Sequence, residues 1–452
     1  MSKDENFTDV HVSDIETRDI KFSSENTTSR STFSTKTSLS KSLTKDSQKS
    51  LPENFTLICL SHLRWNFVYQ RPQHLLSRCA RERTVFFIEE PIFSADTSPW
   101  LDLSTSDCGV VVVVPHLKEG MSETEITITL AKMLDDLFTE KQIEDYILWY
   151  YTPMALSFTR HLKPLLVVYD CMDELSAFKG ASPTLKSLEI ELFSRADLVF
   201  TGGQSLYEAK RDRHPHIYAF PSSIDKVHFG KARNLTTEPA DQINIVHPRL
   251  GFFGVIDERM DIELLGEIAQ AKPDWHFIMI GPVVKIEPAT LPSYENIHYL
   301  GGKSYQELPK YIAGWDIAML PFARNESTRF ISPTKTPEYL AAGKPVISTS
   351  IRDVVRPYGE NDLVKIADNA TDFVAAAEAL MNQNFHFLSA WLERVDTFLA
   401  NNSWDNTWQR MMQLIKGKLN ERSTFSNKKQ PTNIYQSIPV KNKSYESHIS
   451  SV

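Results

Sequence analysis

The chain has 452 residues and a formal net charge of −8, with 41% hydrophobic and 23% charged residues. That length predicts two or three domains with ordinary globular cores. The acidic balance speaks against a nucleic-acid partner, because a phosphate backbone calls for a basic face. No apolar run is long enough to span a bilayer or to form a secretory leader. The four cysteines, Cys59, Cys79, Cys108 and Cys171, form no CxxC pair and no metal-like cluster. They read as reduced residues of a cytoplasmic protein, with neither metal nor cofactor expected.

In chain order, residues 1–50 come first, and twenty of them are Ser or Thr. Such a segment buries too little apolar area to offset its ordering entropy, which predicts a disordered tail. An alternation of apolar strands and helices follows. Strands are expected at 55–61, 85–89, 110–114, 146–150, 165–170 and 198–201, with helices at 71–82 and 123–139. Residues 232–248 are polar and irregular, and mark a seam. Beyond it the alternation restarts: strands at 249–254, 276–280, 296–300, 317–320 and 346–348, helices at 261–271 and 304–313, and a last helix around 391–416. Continuous apolar strands separated by helices imply parallel sheets covered on both faces. The fold class is therefore α/β, with two Rossmann-like doubly wound domains at 51–240 and 241–420, facing a cleft. A second polar tail is expected at 421–452.

The stretch Ser332-Pro333-Thr334-Lys335-Thr336-Pro337-Glu338 carries the most chemistry. It reads as a helix start, with Ser332 as N-cap and Pro333 in the first turn. Gly343 and Pro345 stop the helix before a buried strand. A helix start favours anions, Lys335 adds a full charge, and Glu338 lies three residues on along the same face. Amides, hydroxyls (Ser332, Thr334) and a cation suit a diphosphate, and the carboxylate suits the paired hydroxyls of a ribose. Arg259 follows the glycine turn at Gly254 and could meet the same phosphates; the plainer alternative is a solvated surface cation. Asn325 and Glu326, with Arg329, follow the strand at 317–320 and are either donor contacts or loop solvation.

In the first domain the loop after the first strand, residues 62–72, holds Arg64, Trp65, Tyr69 and Arg71. The aromatic rings could stack on a sugar, the cations could hold an acceptor, and Trp65 could equally be a core anchor. His62 in this loop and Asp173 after the strand at 165–170 are the candidates for proton transfer. Tyr151 follows the strand at 146–150 and is a further acceptor candidate.

These residues carry a resemblance. The segments 251–259 (GFFGVIDER) and 280–282 (IGP), with the Lys335/Glu338 helix that ends in AGKPV, resemble the two-Rossmann-domain GT-B glycosyltransferases. More narrowly, 67–76 (FVYQRPQHLL), 169–175 (YDCMDEL) and 330–335 (FISPTK) are similar to a bacterial group of glycosyltransferase-like proteins, some found beside or fused to UDP-galactopyranose mutase. The resemblance spans about residues 55–415. It implies metal-independent, retaining hexosyl transfer (EC 2.4) from a UDP- or GDP-sugar to a polysaccharide or glycolipid acceptor of the cell envelope. It implies a cytoplasmic enzyme, peripheral to the inner membrane face, with a functional link to the mutase. Related transferases place a second glutamate eight residues before the position of Glu338; here Phe330 stands there. The alternatives are an epimerase of the same fold and a non-catalytic nucleotide-sugar-binding partner of the mutase.

Overall fold

Two parallel sheets organise the chain. In the computed structural model, which describes residues 55–95, 98–221 and 223–428, the first sheet comprises β1 (Thr56–Leu60), β2 (Val85–Ile88), β3 (Ile92–Ser94), β4 (Trp100–Thr105), β5 (Val111–Lys118), β6 (Tyr146–Tyr150), β7 (Leu166–Cys171), β8 (Leu198–Thr201) and β9 (Ile217–Ala219). Their order is β3-β5-β2-β1-β6-β7-β8-β9, with β4 pairing β5 as the antiparallel member. The second sheet comprises β10 (Arg249–Phe253), β11 (His276–Ile280), β12 (Ile297–Gly301), β13 (Ile317–Leu320), β14 (Val346–Ser348) and β15 (Val364–Ile366), in the order β12-β11-β10-β13-β14-β15. All of its pairs are parallel.

The covering helices are α1 (Arg71–Cys79), α2 (Glu123–Glu140), α3 (Leu185–Arg195), α4 (Gln204–Lys210), α5 (Lys226–Gly230), α6 (Ile262–Ala271), α7 (Leu308–Ala313), α8 (Lys335–Ala341), α9 (Ala370–Met381), α10 (Phe385–Phe398) and α11 (Trp404–Lys428). In each sheet the chain winds outward on one side of its first strand and then returns to the other side. The two switch points, β1/β6 and β10/β13, are where open α/β sheets place ligands, beyond the strands' carboxyl ends.

The central strands are buried along their whole length, as their unbroken apolar runs require: Tyr146–Tyr150 and Arg249–Phe253 have every residue buried. Gly251 is obligatory in β10, because a Cβ there would come within 2.0 Å of the Trp315 ring. The expected last helix at 391–416 is two helices. Trp391, Val395 and Leu399 of the α10 region pack into the second lobe, whereas Trp404, Trp408, Met411 and Ile415 of α11 complete the core of the first. The chain thus crosses back between them.

Several boundaries depart from the expectations. The strand foreseen at 110–114 runs on to Lys118 because β3 and β4 both pair with it, and neither edge strand has a clear apolar signature. The helix foreseen at 304–313 begins at Leu308, ahead of Pro309. Residues 421–428, expected to be tail, continue α11. The expected tails at 1–50 and from 429 onward lie outside the described residues.

Candidate functional site

The loops at the carboxyl ends of β10, β11 and β12 face the first lobe across a cavity of about 440 Å³. Residues 67–70 and His74 wall it from the first lobe, and Trp404 of α11 closes one side. Two glycines let backbone form its floor. Gly254 has φ +142° and Gly281 has φ +145°, in the half of conformational space that side chains avoid. A Cβ on Gly281 would lie 1.8 Å from the Gly254 carbonyl oxygen. A Cβ on Gly254 would lie 2.9 Å from Cε of Lys335.

Lys335 and Glu338 of α8 point into this space. The Lys335 ammonium donates to Thr334 Oγ1 at 3.0 Å and lies 5.9 Å from the centre of the Phe253 ring. Glu338 is 7% exposed, and its Oε2 has no hydrogen-bond partner. Burial pushes its carboxyl up to about 8, against the opposing pull of the Lys335 charge and the Thr334 hydroxyl. A buried acceptor oxygen left unmatched costs free energy, so this one awaits a donor.

The helix start differs from the expected one. The cap is Thr334 rather than Ser332, and Ser332 is buried outside the cavity lining, with its Cβ under Gly203. The Thr336 amide donates to Pro333 O at 3.1 Å, and Pro337 has no N–H. The helix end therefore offers few free amides, and the side chains of Lys335 and Glu338 carry most of its polarity.

The remaining predicted residues divide sharply. Gly254, Arg259, Thr334, Lys335, Glu338 and Tyr69 line the cavity. Arg259 is buried and its guanidinium is held by Asp257, with Nη2 at 2.6 Å from Oδ2 and Nε at 2.9 Å from Oδ1. It is therefore neutralised by a neighbour rather than solvated. Asn325 and Glu326 stand outside the cavity lining. Asn325 Oδ1 closes a turn by accepting from the Ser327 and Thr328 amides, and Glu326 is an exposed partner of Arg329 at 3.5 Å.

In the first lobe the acceptor expectations need correction. Arg71 is fully buried and bidentate to Asp170, at 2.8 and 3.0 Å. Trp65 and Tyr151 belong to the hydrophobic core, with Trp65 edge-on to Phe87 at 5.1 Å. None of the three is placed to touch a ligand in the cavity. Asp173 is buried beyond β7, away from the cavity lining. His62 and Arg64 line a different cavity, within the first lobe.

The sequence reading missed an aromatic cluster. His74 stacks on Trp404 at 4.5 Å, Tyr69 packs on Tyr305 at 4.8 Å, and His228 stacks on Tyr305 at 4.2 Å. Burial holds the His74 imidazole well below its ordinary range, so it is neutral. These rings come from four separate segments, so only Tyr69 and His74 could have been joined by local spacing.

Among the described residues, no helix is long and apolar enough to cross a membrane, and no group of three or more metal-ligating side chains occurs.

Two doubly wound lobes with a glycine-floored cavity between their strand ends are the architecture of the GT-B enzymes. Residues 247–383, which supply most of the cavity's wall, match the family Glycosyl transferases group 1. The chain therefore has the GT-B fold, with a glycosyl transferases group 1 match in its second lobe. Among individual proteins it is similar to TuaH of Bacillus subtilis (strain 168), named as a teichuronic acid biosynthesis glycosyltransferase. The two are 28% identical over 277 residues, covering 56% of this chain and 68% of TuaH. Solved structures share the fold at low identity. Sucrose-phosphate synthase from Thermosynechococcus elongatus aligns with TM-score 0.57 and 14% identity, over 83% of this chain and 100% of that one. Anabaena HepE in complex with UDP and glucose aligns with TM-score 0.57 and 13% identity, over 80% and 100%.

Proposed function

We propose that this chain transfers a hexosyl group from a nucleoside-diphosphate sugar, a UDP- or GDP-sugar, to a hydroxyl of a cell-envelope polysaccharide or glycolipid. The observation that carries the reading is the unmatched, buried Oε2 of Glu338 beside the Lys335 ammonium, in a cavity floored by backbone. A ribose supplies two hydroxyl donors to such a carboxylate. The diphosphate, which gains negative charge as it leaves, is met by Lys335. Gly254 and Gly281 let the donor approach the main chain. Arg259, already paired with Asp257, shapes the wall and adds little net charge.

The reading is of metal-independent transfer, since charge on the leaving group is met by a side-chain cation. It is also of retention, because the departing phosphate can take the acceptor proton and neither Asp173 nor His62 lines the donor cavity. Support for an envelope acceptor comes from the similarity to TuaH. A cytoplasmic setting, at the inner membrane face and linked to a sugar-nucleotide mutase, completes the proposal.

The test is calorimetric titration of UDP and GDP into the wild type, Lys335→Ala and Glu338→Ala, alongside release of nucleoside diphosphate from matching sugar donors. Lys335→Ala removes a charge-assisted contact worth about 1.5–3 kcal/mol and Glu338→Ala removes the partner of two ribose hydroxyls, worth about 0.5–1.5 kcal/mol each, so affinity should fall roughly tenfold in either variant. Unchanged affinity in both variants would refute the assignment. Tight binding without any release, even with envelope acceptor present, would favour a non-catalytic binding partner.

A further inference from the structure

The first lobe holds a second cavity, of about 360 Å³, that the donor reading does not use. It opens beyond the carboxyl ends of β1, β2 and β6, at that sheet's switch point, where open α/β sheets seat their ligands. Its walls are divided by chemistry. One part is apolar: Ile88, Ile126 and Leu130 with Met154 and Phe158. The other is polar: Ser61, Arg64, Glu89 and Thr152.

The polar part is built rather than solvated. Glu89 is buried and accepts from the Trp65 amide at 2.7 Å and from Arg64 Nη1 at 2.9 Å. Arg64 Nη1 also donates to the Glu90 carbonyl at 2.7 Å, which fixes the guanidinium in place while its remaining N–H groups stay available to a ligand oxygen. The hydroxyls of Ser61 and Thr152 accept from the Leu63 and Met154 amides, which leaves each O–H to donate. The fixed Arg64 is matched by Glu89, so the polar end suits neutral hydroxyls better than a free anion.

One loop joins this cavity to the donor cavity. Its residues 61, 62 and 64 wall the second cavity, and residues 67–70 wall the first.

We infer that the second cavity seats the apolar chain of an amphipathic acceptor, a lipid-type glycoside. The acceptor's sugar hydroxyls lie against Arg64, Ser61 and Thr152, turned towards the donor cavity. This rests on the transferase reading above and narrows its acceptor to the glycolipid class. A polysaccharide without a lipid would leave the Ile126, Leu130 and Phe158 wall uncovered.

The test uses the full chain and two probes, methyl β-glucoside and hexyl β-glucoside, titrated with UDP present. The hexyl compound should bind at least tenfold more tightly, because each buried methylene adds to the apolar gain. Ile126 and Phe158 are half-buried, so both accept substitution. Ile126→Trp should fill the cavity and abolish the chain-length preference, and Phe158→Ala should weaken it, while UDP affinity stays unchanged in both. Equal binding of the two glucosides, or a preference that survives Ile126→Trp in protein that still binds UDP, would overturn the inference. Failure of the wild type to bind any nucleotide would instead strike the donor reading, and so the two failures are distinguishable.

Discussion

Glu338 makes the protein's stability sensitive to pH in a definite direction. Its folded carboxyl is raised to about 8 by burial, above the ordinary carboxylate range. Between that range and its folded value, the native state keeps a proton that the unfolded chain has lost. Stability therefore falls as pH rises through this window. Asp353, raised to about 6 by burial, adds the same sign over a lower interval. Urea unfolding of wild type and Glu338→Gln near pH 5 and near pH 8 should show the variant gaining on the wild type as pH rises, by at most about 1.4 kcal/mol per pH unit. A constant difference between the two would show that the carboxyl keeps its ordinary range. Arg71 calls for a contrasting experiment. Its ion pair with Asp170 is fully buried, so Arg71→Ala strands a carboxylate and should cost about 3–5 kcal/mol. UDP affinity measured at low temperature should not change, because Arg71 braces β7 rather than touching ligand. Replacing both partners with apolar residues, Arg71→Met with Asp170→Leu, should recover much of the loss.

Among the elements, the turns after β10 and β11 are the least tolerant of change. Gly281→Ala drives a Cβ into the main chain at Gly254, which no rotamer can relieve, whereas Gly254→Ala meets the flexible stem of Lys335. Both also occupy positive φ. Gly281→Ala should therefore lower the melting temperature more than Gly254→Ala, and both should impair nucleotide binding. Equal and small effects would show that the two turns relax. These glycines, with Lys335 and Glu338, show what was legible in the chain. The central strands announce themselves as unbroken apolar runs, and the helix after Thr334 is framed by Pro333, Gly343 and Pro345, so the cavity wall around Lys335 and Glu338 could be read locally. The first-lobe wall could not. Arg71 looks like a ligand-binding cation in sequence, and its partner lies 99 residues away. Tyr305, His228 and Trp404 meet only after the chain has crossed between the lobes twice. The edge strands β3 and β4 are exposed at all but one residue each, so they lack the pattern that marks a buried strand.

At the scale of the whole molecule, the two lobes are held to one another by a small number of specific contacts around the cavity. Asp353 of the second lobe accepts the Ser205 amide of the first at 3.0 and 3.3 Å, and both residues are buried. The Lys179 amide donates to Glu258 Oε1 at 3.1 Å. Tyr69 of the first lobe packs on Tyr305 of the second at 4.8 Å. Asp353→Ala would leave the Ser205 N–H without its acceptor, at a cost of about 1–3 kcal/mol. Hydrogen exchange at Ser205 should accelerate while exchange in β1 and β10 is unchanged. If Ser205 stays as protected as before, the contact does not hold the lobes together.

Whether the inter-lobe cavity is the nucleotide seat is tested most directly by a crystal structure of the protein with UDP. The diphosphate should lie over Gly254 and Gly281 within hydrogen-bond reach of Lys335 Nζ, with both ribose hydroxyls on the Glu338 carboxylate. A nucleotide ordered elsewhere, or one bound in the cavity with Glu338 Oε2 still unmatched, would contradict this placement.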